Sequence, residues 1–291
     1  MKNPPFVYHQ AHTLGEAIEL LAEFGEDGKV LAGGQSLLPT MALRLGPPEH
    51  VIDISRVPGL DAIGLEADGG VSIGALVRHA QAERSDDIAG KAPLIAEAMP
   101  HVGHRAIRTR GTVVGSIAHA DPAAEMPAVC LATEATMVAT STQGERTIPA
   151  AEFFEGYLTT ALRSDELLTQ VRFPAWLPSS GGALVEVSRR HGDYALVGLA
   201  CRLDVSGGAI GSAALAFFGV APTPVRVAAA EAALVGKPPT AETFAEAAAI
   251  VSESLSPTAD IHGSTNYRRH VAGVLTQSGL EAAASRVGVP A

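Results

Sequence analysis

Near the start of the chain, a pair of adjacent glycines, Gly33-Gly34, directly follows a short apolar segment in the stretch LAGGQSLLP, residues 31–39. Glycine lacks a Cβ and reaches positive φ readily, so the backbone N–H groups of such a loop can approach a ligand closely. The pair therefore predicts either a loop that binds a diphosphate or an ordinary tight turn. Residues 13–25 predict a capped helix before it, which gives the order helix, strand, glycine-rich turn.

A second glycine-bearing stretch, TRGTVVGSIAHADPAAE, spans residues 109–125. It combines the hydroxyls of Thr112 and Ser116 with the carboxylate of Glu125, where an apolar helix is predicted to begin. Hydroxyl and free N–H groups suit phosphate oxygens, whereas a carboxylate suits the diol of a ribose. Two such loops could together hold one dinucleotide. Neither contains the G-x-G-x-x-G pattern that a Rossmann site requires after its first strand, so a Rossmann site is disfavoured.

The order of the predicted elements divides the chain into two parts. The first part contains α/β segments, with a hairpin turn at residues 68–70 and a helix over about residues 76–85. Residues 175–182 (AWLPSSGG) concentrate Pro, Ser and Gly, which predicts a domain boundary there. Beyond the boundary, strand patterns joined at residues 206–208 precede alanine-rich helices, which is an α+β arrangement.

The charge of the chain limits its partners. A net charge of -10 argues against nucleic acid, because binding to a phosphate backbone depends on clustered Lys and Arg. The largest basic group, Arg105, Arg108 and Arg110, is too sparse for this and indicates a local anion contact or a solvated face. The first residues lack the pattern of a signal peptide, and no apolar run reaches the roughly 18 residues of a membrane span. We therefore expect a cytoplasmic protein without a transmembrane segment.

No metal site is predicted on this chain. Its two cysteines, Cys130 and Cys201, both lie in apolar segments and are too few for an iron–sulfur site or a zinc ribbon. They are better interpreted as small buried hydrophobic residues. His101, His104 and His119 do not have the spacing of an H-E-x-x-H metal motif.

Taken together, the two stretches are similar to those of a known family. LAGGQSLLP followed by IRTRGTVVGSIAHADPAAE resembles the FAD-binding medium subunit of the molybdenum hydroxylases, the family of xanthine dehydrogenase and aerobic carbon monoxide dehydrogenase. Further landmarks of that family occur in the same order along nearly the whole chain. They are FEGY and TAL at residues 154–157 and 160–162, SRRHGDYALVGLA at 188–200, GVAPTPVR at 219–226 and NYRRHVAGVL at 266–275.

The resemblance implies an α+β fold in two domains. Residues 1–177 would form an FAD-binding region of two α/β subdomains, split near residue 55 and similar to the vanillyl-alcohol-oxidase/PCMH type. Residues 178–291 would form a C-terminal domain similar to that of carbon monoxide dehydrogenase flavoproteins, with a three-stranded antiparallel sheet and a helical bundle. The predicted boundary at residues 175–182 agrees with this division.

The resemblance also implies which residues bind FAD, and it implies no catalytic residue of the substrate reaction on this chain. The first loop would wrap the diphosphate, the second would lie beside the cofactor, and separate residues would line the flavin pocket. His119 would lie nearby, although a hydrogen-bonded loop histidine is an alternative interpretation, and Glu125 would be the acidic residue near the nucleotide. The implied cofactor-binding residues are Leu31, Ala32, Gly33, Gly34, Gln35, Ser36, Leu37, Gly103, Ile107, Thr112, Val113, Val114, Gly115, Ser116, His119, Glu125 and Leu162.

One residue departs from the family pattern. The family usually has two glycines where this chain has Val114-Gly115. A β-branched residue is unfavourable at positive φ, so FAD binding would require Val114 to adopt an ordinary φ with its side chain turned away.

A flavin exchanges electrons singly or in pairs and suits a relay between one-electron carriers and a two-electron acceptor. By resemblance, a small subunit with two [2Fe-2S] clusters would supply the electrons, and a large molybdopterin subunit would hydroxylate the substrate. The terminal acceptor would be NAD⁺, a quinone, a cytochrome or oxygen, and the expected assembly is a dimer of heterotrimers. Two alternatives are a non-catalytic assembly subunit that lacks FAD and a stand-alone flavin oxidase.

Overall fold

The computed structural model describes residues 2–288 and shows a mixed α/β protein with three main sheets. Residue 1 and residues 289–291, the outer ends of the two expected domains, lie outside the described residues. The first sheet is parallel, with strand order β1-β3-β2. Its elements are β1 (Val7–Gln10), α1 (Leu14–Phe24), a 3₁₀ turn (Gly25–Asp27), β2 (Gly28–Leu31), α2 (Leu37–Ala42) and β3 (His50–Asp53).

Helix α1 begins and ends as its sequence predicts. The Thr13 side chain accepts a hydrogen bond from the Glu16 N–H, and the Glu16 side chain accepts one from the His12 N–H, so both side chains satisfy backbone donors at the start of the helix. Gly25 ends the helix at a φ of 50°.

The second sheet is antiparallel, with strand order β4-β5-β10-β6-β7. The hairpin predicted at residues 68–70 joins its first two strands. Short helices and a small hairpin, β8-β9, lie between its strands along the chain. The elements are β4 (Ile63–Leu65), β5 (Val71–Gly74), α3 (His79–Ala82), α4 (Asp86–Lys91), α5 (Pro93–Ala98), α6 (Arg105–Arg108), α7 (Val113–His119), α8 (Glu125–Thr133), β6 (Thr136–Ser141), β7 (Gly144–Pro149), α9 (Ala150–Phe153), β8 (Phe154–Gly156), β9 (Thr159–Thr160) and β10 (Leu167–Phe173).

The helix predicted over residues 76–85 is wrong in extent, because only α3 is helical in this segment. The residues before it form a turn and pair with other segments: the Leu76 N–H donates to the Leu60 carbonyl, and Arg78 forms a β-bridge with Thr112. These tertiary pairings outweigh the local helical pattern.

The third sheet is antiparallel, and three helices follow it along the chain. It has four strands rather than the three expected, because the two-residue strand after Pro224 pairs with the third long strand. A strand this short leaves no alternating pattern to find in the sequence. The elements are β11 (Ser180–Ser188), β12 (Ala195–Ser206), β13 (Ala209–Phe218), β14 (Val225–Arg226), α10 (Ala228–Leu234), α11 (Ala241–Ser254) and α12 (Thr265–Ser285).

Two hydrophobic clusters form the core. One lies between the third sheet and helices α10 to α12. The other surrounds the second sheet and helix α8, and it extends across to the third sheet through Leu184 and Phe218. No helix within residues 2–288 combines the length and the apolar character needed to cross a membrane.

Candidate functional site

A cleft of about 330 Å³ opens where the parallel strands β2 and β3 end. Carboxyl ends of neighbouring parallel strands are common places for ligands, because the loops that leave them diverge there. Both glycines of the first loop lie in its wall, together with polar and charged side chains. The lining residues are Leu31, Ala32, Gly33, Gly34, Leu38, Asp53, Ser55, Arg78 and Arg110.

The first loop presents a row of backbone donors. Gly34 has a φ of 70°, which turns the chain between β2 and α2. Within residues 2–288, the N–H groups of five consecutive residues donate no hydrogen bond to the protein. Successive free N–H groups of this kind form a concave site that favours anions. The five residues are Gly33, Gly34, Gln35, Ser36 and Leu37.

The two glycine-bearing loops are in direct contact. A Cβ added to Gly33 would lie 2.7 Å from both the Arg110 carbonyl oxygen and the Gly111 Cα, and 3.0 Å from the Thr112 nitrogen. Only glycine fits this approach. The structure therefore joins the two stretches that the sequence singled out separately.

The second loop leads into α7, whose first turn is satisfied internally. The Thr112 hydroxyl accepts a hydrogen bond from the Gly115 N–H at 3.1 Å, and the Ser116 N–H donates to the Thr112 carbonyl. A Cβ on Gly115 would lie 2.4 Å from the Thr112 hydroxyl, so glycine is required for this cap. Unlike the first loop, this one has few N–H groups left for a ligand.

Val114 satisfies the condition that the sequence raised. It lies in α7 rather than at positive φ, and its side chain, 2% exposed, packs in the core with Val113 and Ile117. The valine is therefore compatible with the loop as folded.

The three arginines of the basic group at residues 105–110 occupy different environments, so the solvated-face interpretation is correct only in part. Arg105 is exposed, whereas Arg110 lines the cleft. Arg108 is buried, pairs with Glu83 through hydrogen bonds of 3.0 and 3.2 Å, and donates to the Gly103 carbonyl at 2.9 Å. Arg108 thus anchors the loop at Gly103 and is not a surface charge.

Arg78 brings positive charge to the cleft. Its guanidinium donates to the Arg110 carbonyl, which ties α3 to the second loop. Burial, followed by repulsion from Arg110, lowers the pKa of Arg78 below its ordinary value. Because an arginine guanidinium remains charged at neutral pH, the cleft is suited to an anionic ligand.

The remaining predicted residues lie around the second loop. Gly103 has a φ of 53°, and a Cβ there would approach the Ile107 side chain, which is 36% exposed. Helix α7 contacts β9, the strand that ends immediately before residues 161–163, where Leu162 is partly buried against the core. His119 ends α7 half-buried, and desolvation lowers its pKa.

Glu125 is buried at the first position of α8. Desolvation raises its pKa to about 7, and the neighbouring Glu186 carboxylate adds to the shift. Glu186 also lies 3.4 Å from His101 Nδ1, and this hydrogen bond raises the pKa of His101. Two buried acids and a partly buried histidine thus form a small cluster beside the second loop.

Sequence reasoning missed Asp53, Ser55, Arg78 and the buried His79. The His79 N–H donates to the Gly111 carbonyl at 3.0 Å, and burial lowers its ring pKa to about 4, so a neutral imidazole packs beneath the loop. Asp53 could have been found from its position at the end of a parallel strand. Arg78 carries no local signal, because its contact with residue 110 depends on the tertiary fold.

Comparison with known proteins shows the family to which the chain belongs. A family described as the FAD binding domain in molybdopterin dehydrogenase matches residues 4–176, and the CO dehydrogenase flavoprotein C-terminal domain matches residues 183–283. The chain is 38% identical to the carbon monoxide dehydrogenase medium chain of Hydrogenophaga pseudoflava, over 97% of this chain and 98% of that one. It is 39% identical to the 6-hydroxypseudooxynicotine dehydrogenase complex subunit alpha of Paenarthrobacter nicotinovorans, over 98% and 97% of the two chains.

Solved structures show the same fold. A chain of carbon monoxide dehydrogenase from Hydrogenophaga pseudoflava superposes with a TM-score of 0.95 at 40% identity, covering 99% of this chain and all of that one. Quinoline 2-oxidoreductase from Pseudomonas putida 86 gives a TM-score of 0.93 at 38% identity, with coverage of 99% and 100%. The chain therefore belongs to the family of FAD-binding medium subunits of the molybdenum hydroxylases.

Proposed function

We propose that this chain binds FAD in the cleft at the ends of β2 and β3 and transfers electrons within a molybdenum hydroxylase. The observation that carries the proposal is the row of five free N–H groups in residues 33–37, beside the charged Arg78. The diphosphate of FAD needs donors and positive charge, and this surface supplies both. Gly33 also leaves the space that a side chain would fill.

The other implied residues have roles around the same cofactor. Leu31 and Ala32 complete the wall of the diphosphate cleft, and Gly103, Ile107 and Leu162 would contact the flavin ring. His119 and Glu125 would lie near the nucleotide. The remaining second-loop residues would hold the backbone beside the cofactor: Thr112, Val113, Val114, Gly115 and Ser116.

When bound, FAD supplies the capacity to exchange electrons singly or in pairs. The chain's own residues bind and orient it, and the packed core beneath the loops keeps the site rigid. We propose that a small [2Fe-2S] subunit delivers the electrons and that a large molybdopterin subunit hydroxylates the substrate. Cys130 and Cys201, the two cysteines, are both buried and free, which fits iron–sulfur clusters carried on another chain.

We also propose the finer organisation that the resemblance implies. The FAD-binding domain would span residues 1–177 as two PCMH-like subdomains split near residue 55, and residues 178–291 would form the second domain. The matched ranges of the two family domains, 4–176 and 183–283, support this division. We further propose that the complex is a dimer of heterotrimers and that it lies in the cytoplasm. The two cysteines, both free thiols, fit the reducing environment of that compartment.

The test is to purify the full chain with its partner subunits and to measure bound flavin. We expect the visible absorption bands of a flavin, and release of FAD in equal amount to the chain on denaturation. A complex without flavin would refute the proposal in favour of a non-catalytic assembly subunit. Reduction of the bound flavin by a small organic substrate, with the partner subunits absent, would instead favour a stand-alone oxidase.

A further inference from the structure

A partly buried ion pair lies next to the segment that carries Leu162. Arg146, on β7, donates to Glu166 through two parallel hydrogen bonds, Nε to Oε1 at 2.6 Å and Nη2 to Oε2 at 2.8 Å. The Glu166 side chain is only 2% exposed, whereas that of Arg146 is 34% exposed. Hydrogen bonds from Arg146 and from the Arg163 N–H outweigh desolvation and lower the pKa of Glu166. Glu166 therefore stays ionised at neutral pH.

The pair binds the backbone on both sides of Leu162. Arg146 Nη2 also donates to the Ala161 carbonyl at 2.6 Å, and Glu166 Oε2 accepts from the Arg163 N–H at 2.7 Å. The Leu162 N–H donates to the Thr160 hydroxyl at 3.4 Å. Residues 161–163 belong to no helix or strand. Apart from the Ala161 N–H, which donates to the Phe153 carbonyl at 2.9 Å, these contacts hold their backbone.

Stability alone is a weak explanation for such a pair. Desolvation offsets much of the attraction between buried charges, and well-packed apolar residues often stabilise a protein equally well. What apolar residues would not supply is the directed hydrogen bonding to the backbone at 161 and 163. A bidentate pair of guanidinium and carboxylate fixes the position of the backbone at residues 161–163.

We propose that Arg146 and Glu166 are positioning residues, which set the location of Leu162 against the flavin ring. This inference rests on the proposed function, because it requires FAD in the cleft and Leu162 beside it. Arg146 and Glu166 would act through the backbone of residues 161–163 and would not contact the cofactor themselves.

The chain offers a matched control. Arg226 forms a similar bidentate pair with Glu231, with Nε to Oε1 at 2.8 Å and Nη2 to Oε2 at 2.9 Å. It lies in β14 of the third sheet, and its other partners are Glu134 and the Ala213 carbonyl. Loss of this pair removes comparable interactions without touching residues 161–163.

The experiment is a double-mutant cycle in the full chain, made of wild type, R146Q, L162A and R146Q/L162A. A second cycle, in which R226Q replaces R146Q, is the control. The measurements are the Kd of FAD, by titration of the FAD-free chain, and the position of the bound flavin's absorption bands. We expect R146Q to weaken FAD binding by about tenfold, as for loss of a charged hydrogen bond, and to shift the bands as L162A does. R146Q should weaken binding little further once Leu162 is absent, whereas R226Q should leave the bands of wild type unchanged.

Three outcomes would overturn the proposal. They are additive effects of R146Q and L162A, unchanged absorption bands in R146Q, and no change in either measurement for L162A. If R146Q does not fold, E166Q, which keeps the side-chain shape, takes its place in the same cycle and is judged by the same criteria. If wild type does not bind FAD, both the proposed function and the positioning role are refuted. This result is obtained before any variant is compared, so it is distinguished from failure of the positioning role alone.

Discussion

Gly33 and Gly111 approach each other so closely that a Cβ on Gly33 would lie 2.7 Å from the Gly111 Cα. This contact joins the loop after β2 to the loop before α7. The free N–H groups of the first loop therefore lie in the same cleft as Arg78 and Arg110. The shape of the cleft therefore depends on the absence of a side chain at residue 33.

The first prediction concerns this contact. Gly33→Ala should force the two loops apart, because backbone atoms occupy the place of the new methyl group and cannot rotate away. We expect the Kd of FAD to rise by at least about tenfold, as when charged hydrogen bonds are lost. Titration of the FAD-free chain with FAD measures the change. The control is Gly90→Ala on α4, where the added Cβ meets nothing within 4 Å. Wild-type affinity in the Gly33 variant would show that the loop contact does not shape the site.

The second prediction concerns Arg78. Arg78→Gln removes a positive charge from the cleft and should weaken FAD binding by about tenfold at low salt. Since part of wild-type binding would be electrostatic, the affinity of the variant should also depend less on ionic strength. Arg172→Gln, in a separate groove on the second sheet, is the matched control and should bind FAD normally. An unchanged salt dependence in the Arg78 variant would exclude a role for this charge in binding.

The sequence predicts local elements well where one short pattern decides the structure. Thr13 and Glu16 cap α1 as expected, and the hairpin turns at residues 68–70 and 206–208 join antiparallel strands. It fails where tertiary pairing overrides the pattern, as at residues 76–78. A strand of two residues, β14, is too short to leave a pattern at all.

For the site, the sequence identified both loops but not the relationship between them. The contact of Gly33 with Gly111 and the reach of Arg78 to the Arg110 carbonyl join segments that are distant in the chain. Likewise, nothing local distinguishes the buried Arg108, paired with Glu83, from the exposed Arg105 beside it in sequence. Such features follow from packing and were visible only in the fold.

The third prediction concerns Val114. If the first glycine of the family's pair were needed for FAD binding, Val114→Gly should tighten that binding. The structure predicts no such gain, because Val114 fills the core from a helical position. The variant should lose about 3 kcal/mol of unfolding free energy, from the lost apolar contacts and the flexibility of glycine in a helix. Denaturant unfolding of the FAD-free chain measures this loss, and tighter FAD binding by the variant would contradict the prediction.

The fourth prediction concerns the pH dependence of stability and rests on Glu125. Its pKa is raised from 4.5 to about 7 by burial, so the folded chain binds a proton here that the unfolded chain releases. The stability contributed by this protonated acid is fully present below pH 4.5 and is lost as the pH rises through about 7.

Glu125→Gln keeps a neutral side chain at every pH, so it should remove this loss. Between pH 5 and 8, wild type should lose up to about 3 kcal/mol of unfolding free energy more than the variant. His101, whose pKa is raised by its hydrogen bond to Glu186, also favours the folded state less at high pH, but it is present in both proteins. Glu152→Gln, at an exposed position on α9, is the control and should follow wild type. Denaturant unfolding of the FAD-free chain, repeated across this pH range, measures the difference. Parallel curves of unfolding free energy against pH for wild type and Glu125→Gln would contradict the prediction, because they would mean that Glu125 is already ionised in the folded protein at pH 5.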